Sequence, residues 1–590
     1  MAQNLPMRQG NVFTWIKQFG PAAAALLLVL AGAFWLCSRY LWANGITYDE
    51  GHWLMFGLLA HADYAPYREI FVGIPPLALL VIQLGAALFD VTLAVRYPMM
   101  VLSLVGVAAL YGSFLPWQGT IPFWSGLLAA SILAFEPQFL AGSATILAEA
   151  PAISAAIVSF VLALAYQRGG GRVWLFLSGV AFGLSLALKL FAVFLPGVIA
   201  VLLVIVALTH PGEPISRRLR RLGIDGLLWS LGVLLPWLIL ALMYDLQAMF
   251  HQIFLFRLSF RELNFVEGEA KFGEHLVVVG EMLRRRWPLL LGAAAGTWLG
   301  WRQRRPDIWL WAVWLGLAIV PLIWQAPLRD RYVVMLLPPL AALTGYALAC
   351  GLAKLSASLV NKGPWLRPVV LLAAVLGLYG VILTPAIRLA SARPLADPDG
   401  YIFDYLTTER RDAIDFVRTT TFAGDCIITD DQRFAFAADR LVPPWLSETS
   451  DARLMARWLI DTDDIIRQAA EYNCPATVYV YRRFRDHLPD LAERLRQLYF
   501  LEIAFTDEVR VFTGLKSVTT PPSQPLAVTF GETIALQGLD LTPRPWMPGQ
   551  RVQLATYWSA SQPPPRSYKV FLQLRHDQGE VVASYDHFPF

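Results

Sequence analysis

Apolar and polar positions along most of this chain fall into long separate blocks rather than alternating. Apolar runs of about 20 residues, the length that crosses a hydrocarbon layer as a helix, begin near Pro21, Arg96, Ile121, Ala150, Val173, Leu190, Gly223, Trp287, Ile308, Tyr332 and Leu366. The blocks predict about eleven spans. A further run, "PPLALLVIQLGAALF" from Pro75 to Phe89, is shorter. That length predicts a re-entrant or interfacial helix.

After the last run the pattern changes. From Ala396 to about Leu515, charged helical patterns ("ERRDAIDFVRTT", "DDIIRQAAEY", "LPDLAERLRQLYF") alternate with short apolar strands ("CIITD", "ATVYVYRR", "VRVFTG"). This predicts a small α/β domain. "TTPPSQP", Thr519 to Pro525, reads as a linker. Beyond it "TIALQGLDL", "VQLATYWS", "YKVFLQLRH" and "EVVASYD" alternate as strands of a partial β-sandwich. The predicted fold is a polytopic α-helical membrane protein. It has a membrane domain over 1–390 with outer loops 43–95 and 244–286, an α/β domain over 396–518 and a β-rich domain over 526–590.

Composition supports the membrane reading: 56% of residues are hydrophobic and 16% charged, against about 25% charge in soluble domains. The net charge of +4 is spread in short clusters, which gives no support to a nucleic-acid partner. The first apolar run is too long for a signal-peptide core and is expected to stay as a helix. Cys426 and Cys474 each open a predicted strand, and two readings fit them equally: a disulfide, or two small residues buried in a sheet. Cys37 and Cys350 lie within spans, and the four cysteines show no zinc-type spacing.

Charge settles which loops share a side. If the Pro75 helix does not cross, then Arg8, Lys17, Arg168, Arg172, the arginines at 217, 218, 220 and 221, those at 302, 304 and 305, and Lys354, Lys362 and Arg367 share one face. Positive loops stay cytoplasmic, so that face is inside. One cluster resists this assignment: "RRR" at Arg284 to Arg286 falls on the other side, at the end of a loop of about 40 residues, where the charge rule is weaker. In this topology "ITYDEG" (Ile46 to Gly51), Glu149, the 244–286 loop, "APLRDRY" and everything after about Ala386 lie outside.

Acid beside lipid is costly unless it faces a cavity, which singles out Asp49 and Glu50 just past the first span. Glu149 is a second acidic candidate, although a glutamate at a helix N-terminus followed by Pro151 also fits a purely structural role. Lys189 interrupts a long apolar region, and an intramembrane lysine is a functional candidate by default. Arg257, Arg261, Arg329 and Arg331 are further cations on the same side. His52, Tyr64, Tyr67 and Arg68 flank the acidic pair and would form a groove for lipid or acceptor.

The order of these features resembles the GT-C superfamily of membrane glycosyltransferases, the protein O-mannosyltransferases and aminoarabinose transferases. The resemblance rests on "YDEG" after the first span, "GIPPL" opening the short helix, "GSATILAEAP" in the second outer loop and "LRDRYVVMLLPPLAAL" late in the membrane domain, over about Pro21 to Ala386. It implies transfer of a sugar from a polyprenyl-phosphate carrier to an acceptor lipid, protein or glycan at the outer face of the cell membrane. Asp49 would be the general base, Glu50 and Glu149 would be catalytic-site acids, and Lys189 with the four arginines would bind the carrier phosphate. Glu149 would either position the acceptor or bind a divalent metal with Asp49. The family's clearest metal users carry paired acids where this chain has a lone Glu, so no metal ligand is assigned. The rival classes are a lipid-linked substrate transporter or flippase, whose ionisable groups sit near the midplane within repeats, and a non-catalytic lipid-binding membrane protein.

Overall fold

The computed structural model describes residues 12–43, 45–89, 93–114, 120–208, 214–256, 258–259, 272–324, 328–359, 366–391, 406–455, 459–516, 521–531, 534–541, 554–561, 570–575 and 581–587. The chain divides into two compact units, one of Met1–Arg68 with Val72–Asp404 and one of Glu69–Phe71 with Tyr405–Phe590.

The first unit is helical. Its helices are α1 (Val12–Ala43), α2 (Tyr48–His61), α3 (Pro76–Phe89), α4 (Arg96–Gly112), α5 (Thr120–Phe135), α6 (Pro137–Ser143), α7 (Glu149–Gln167), α8 (Arg172–Leu188), α9 (Leu195–Leu208) and α10 (Ile215–Ala241). They continue through α11 (Leu246–Phe250), α12 (Phe272–Arg284), α13 (Trp287–Arg302), α14 (Pro306–Trp324), α15 (Leu337–Ser358) and α16 (Leu366–Ala390). Where the sequence predicts about eleven spans, six helices among the described residues are long and apolar enough to cross, or seven if the bent pair α5–α6 counts as one. Four further apolar helices among the described residues, Pro76–Leu88, Arg96–Gly112, Arg172–Leu188 and Leu195–Leu208, are shorter, and two of the interruptions have local causes. Glu136 accepts from the amides of Gln138 and Phe139 at 2.7 and 2.9 Å, and Pro137 opens α6, so the helix restarts with a 66° bend. Lys189 takes an extended conformation that ends α8, which leaves α8 and α9 as two shorter apolar helices.

Lipid gives helices no hydrophobic reason to associate, so close backbone approach through small residues carries much of the packing. A Cβ on Gly179 of α8 would lie 2.1 Å from the Trp229 carbonyl oxygen of α10, and one on Gly232 would lie 2.3 Å from that of Phe176. Both glycines are therefore obligatory to this crossing. Elsewhere the core is aromatic: Phe160 of α7 meets Trp311 of α14 at 4.5 Å between ring centroids, and Trp311 stacks on Trp314 at 5.5 Å. Trp314 donates its indole N–H to the Met335 carbonyl at 3.1 Å. That bond ties the core to the 3-10 segment Asp330–Met335.

Among the described residues the second unit holds three sheets. Strands β1 (Ile427–Thr429), β2 (Ala476–Tyr479), β3 (Tyr499–Ala504) and β4 (Arg510–Leu515) form a mixed sheet in the order β1-β2-β4-β3, with β1 and β2 parallel. Cys426 and Cys474, just before those two parallel strands, form a disulfide. Of the two readings open to the sequence, the structure takes the covalent one. Beyond them, β5 (Gln524–Phe530), β6 (Ile534–Leu541) and β7 (Leu554–Ala560) make an antiparallel sheet, and β8 (Val570–Arg575) pairs with β9 (Val581–His587). The region predicted as a partial sandwich thus holds five strands in two separate sheets among the described residues, and β5 begins within the segment read as a linker.

At the end of β1, Asp430 is fully buried and accepts from the amides of Val480 and Tyr481 at 2.8 and 3.2 Å. Burial outweighs those hydrogen bonds and pushes its carboxyl up to about 7. Because the folded pKa lies above the unfolded value, the native state holds a proton that the unfolded chain has lost between about pH 4 and 7, and stability falls as pH rises through that window.

Two outcomes are expected. Gly232→Val should destabilise the membrane unit by about 1–3 kcal/mol through overpacking, read as a lower melting temperature in detergent. Asp430→Asn should flatten the decline in melting temperature between about pH 4 and 7, with little change below it.

Candidate active site

The acidic pair sits at the first turn of α2. Successive helical residues point about 100° apart, so the two carboxylates diverge and meet different partners. Thr47 and Glu50 have the spacing of a capping box, and Glu50 accepts from the Thr47 amide and hydroxyl at 3.1 and 3.2 Å. Arg96 of α4 grips the same carboxylate through Nε at 2.9 Å and a terminal nitrogen at 2.8 Å. The Ile146 amide adds a third direction at 3.3 Å. Arg96 spends its other donors on the carbonyls of Leu41 and Gly45 at 2.8 and 3.0 Å. Both side chains are at most 2% exposed, so their bonds pin α2 to α1, α4 and the segment before α7.

Asp49 faces the other way. Its carboxylate pairs with a terminal nitrogen of Arg331, and the Arg331 Nε lies 3.0 Å from Glu149. Glu149 is the first residue of α7, where the helix dipole favours an anion, and its side chain is 3% exposed. It takes the Lys189 ammonium at 2.6 Å, which also donates to the Leu147 carbonyl at 3.0 Å. Trp53 lies one turn beyond Asp49 on the same face of α2, and its ring stands 5.5 Å from the Lys189 nitrogen. Two carboxylates and two cations from four separate elements thus form one cluster with no formal net charge. Burial alone would push the Asp49 carboxyl up, but the charge and hydrogen bond of Arg331 prevail and hold it at about 2.

The remaining sequence candidates divide. His52 is buried, edge-on to Tyr48 at 4.4 Å between ring centroids. Tyr67 is buried in a left-handed turn (φ 64°) and donates its hydroxyl to the Ile74 carbonyl at 2.7 Å. Its own carbonyl accepts from Gln252 at 2.7 Å, so it braces the turn. Tyr64 is half-buried, while Arg68 and Arg329 are exposed. Arg257 and Arg261 lie outside the described residues. Asp330 does not pair with a neighbouring arginine in sequence but with Arg285 at 3.4 Å.

Arg96 was missed by sequence reasoning. It opens an apolar run and looks like its flank; the Thr47-x-x-Glu50 spacing signalled the cap but not the distant arginine. The "RRR" cluster is also explained by pairing: Arg284 and Arg285 hold Glu281, and Arg286 holds Glu136 at 2.9 Å. These arginines follow carboxylates rather than a charge rule.

As a metal site the donor set fits poorly. The Arg331 guanidinium occupies the position between Asp49 and Glu149 that a divalent ion would need, and no group of three or more metal-type ligands gathers among the described residues.

Residues 74–240 match the family model described as dolichyl-phosphate-mannose-protein mannosyltransferase. The fold is similar to ArnT from Cupriavidus metallidurans in the apo state, with a TM-score of 0.56 at 15% identity over 85% of this chain and 100% of that one. It is also similar to the same protein bound to undecaprenyl phosphate, with a TM-score of 0.51 at 15% identity over 87% and 100%. No curated protein matches at the level of sequence.

Glu50→Ala is expected to leave Arg96 as an uncompensated buried charge and to cost about 3–5 kcal/mol, read as loss of monodisperse protein or a large drop in melting temperature. Asp49→Asn, at a partly exposed position where an amide oxygen can still accept from Arg331, should lower the melting temperature far less. Taken together, the apolar helices and these comparisons make the chain an integral membrane protein whose fold is similar to that of ArnT and whose residues 74–240 match the mannosyltransferase family model.

Proposed function

We propose that the chain transfers a sugar from a polyprenyl-phosphate carrier to an acceptor hydroxyl or amide at the extracytoplasmic face of the cell membrane. The observation that carries this reading is the bridge of Arg331 between Asp49 and Glu149, with Lys189 closing the cluster. The undecaprenyl phosphate bound to the ArnT structure of similar fold supports a lipid phosphate as carrier. The Cys426–Cys474 disulfide supports an oxidising, outer location for the second unit.

The chemistry follows from charge. Arg331 and Lys189 are the cations that would take the carrier phosphate. A phosphate that draws Arg331 away from Asp49 removes the largest of the interactions that keep this carboxyl acidic, so burial raises its proton affinity. Asp49 then takes the acceptor proton as the acceptor oxygen or nitrogen bonds to the anomeric carbon and the carbon–phosphate oxygen bond breaks. The leaving phosphate gains one negative charge while Asp49 loses one, so the site's total charge is conserved and the developing anion forms against fixed cations. Glu149 is the residue that positions both cations. Glu50 acts on α2 through Arg96, as a positioning residue.

In membranes supplied with labelled polyprenyl-phosphate sugars, Asp49→Asn should lower transfer about 10²–10⁴-fold, the range of a lost general base, while the protein stays folded and monodisperse. Arg331→Gln should weaken carrier binding and, with the largest interaction opposing burial removed, move the acid limb of the pH profile upward. Transfer that persists at the native rate in Asp49→Asn removes Asp49 from this role; carrier movement across the bilayer without any sugar transfer would favour the transporter class.

A further inference from the structure

The far end of α13 carries a feature that sugar transfer does not use. Arg285 and Arg286, just before α13, pair with Asp330 and Glu136, which puts its first turn at the level of the charge cluster. Sixteen residues later, about 24 Å along the helix axis, α13 ends beside a cavity of about 820 Å³ lined by Trp298, Trp301, Arg302, Arg304, Pro306 and Trp309. A second cavity of about 490 Å³ shares Trp298 and Trp301 with it and continues between α13 and α14 over Leu290, Ala293, Ala294, Thr297 and Leu315. One compartment is aromatic and cationic, and the adjoining one is apolar.

The two arginines are placed without carboxylates. Asp307, the nearby acid, is taken by Arg305 at 3.3 Å and Arg168 at 3.2 Å. Arg302 lies 5.3 Å over the Trp298 ring, and no carboxylate pairs with Arg302 or Arg304 among the described residues. Arg304 also sits where the fold would favour glycine. The amides of Arg304 and Arg305 donate back to the carbonyls of Trp301 and Gly300 at 3.0 and 2.8 Å, which is the Schellman ending of a helix. Its central residue is left-handed (φ 54°), a conformation that disfavours a side chain. The chain thus keeps a cation at a strained position.

We infer that this composite cavity is a binding site for an anionic phospholipid, with the phosphate at Arg302 and Arg304, the glycerol region against Trp298, Trp301 and Trp309, and an acyl chain in the apolar groove between α13 and α14. Two cations without acids complement a phosphate in charge, and indole rings with an exposed edge suit the membrane interface. The site lies at the opposite end of α13 from the cluster, so its occupant is a resident lipid and not the reacting carrier. This inference does not rest on the proposed transfer reaction.

The test is native mass spectrometry of the purified full-length chain titrated with phosphatidylglycerol, phosphatidylcholine or undecaprenyl phosphate. The native chain should retain one phosphatidylglycerol about ten-fold better than phosphatidylcholine, as two interfacial arginines would give. The double variant Arg302→Gln with Arg304→Gly, whose second change suits the left-handed turn, should lose that preference and bind undecaprenyl phosphate as before. Equal retention of the two phospholipids by the native chain would overturn the inference whether or not the variant folds. So would a preference that survives in the variant, or displacement of phosphatidylglycerol by undecaprenyl phosphate.

Discussion

A charge within an apolar bundle must be neutralised locally, and in this protein one guanidinium does most of that work. Arg331 draws Asp49 from α2 and Glu149 from α7 to a common point, and Lys189 at the end of α8 closes the group. The helices cannot rotate or slide independently without separating opposite charges where water screens them poorly. The arrangement of this end of the bundle is therefore set by electrostatics, while packing sets the rest. The indole bond from Trp314 to Met335 joins the two regimes, because it fixes the segment that presents Arg331.

The adjacent acids show how one turn of helix separates two tasks. Glu50 points into protein and is saturated by donors from Thr47, Arg96 and Ile146. Asp49 points into the cluster, where its side chain keeps partial exposure and holds its charge through a partner that a phosphate would compete for. A chain with only the buried pair would have a stable α2 and no carboxylate from it in the cluster. With only the exposed acid it would lack the rigid mount that places that acid.

Much of this was legible in the sequence, and the reasons differ by feature. Helix positions follow from apolar runs because lipid demands them, so most predicted starts coincide with helices. Interruptions such as Glu136-Pro137 are written in capping and proline signals but are easily absorbed into a long apolar window. Asp49, Glu149, Lys189 and Arg331 stood out as polar residues beside lipid, and they do meet. Their pairing did not stand out, since which cation reaches which acid depends on how helices cross. Arg96 was illegible for the same reason: its partner lies 46 residues away, and a run that opens with arginine looks like any flanked span. The Cys426–Cys474 bond needed the parallel pairing of β1 with β2 before its distance could be known.

The extended residue that separates α8 from α9 has one more implication. Where a helix is interrupted within an apolar layer, its freed amides and carbonyls need partners, and here the chain supplies them itself: the Lys189 amide donates to the Ser185 carbonyl at 3.0 Å, and the Lys189 carbonyl accepts from the Phe191 amide at 2.7 Å. The break is closed by a tight local turn, so the ammonium reaches Glu149 from backbone that holds its shape without borrowed partners.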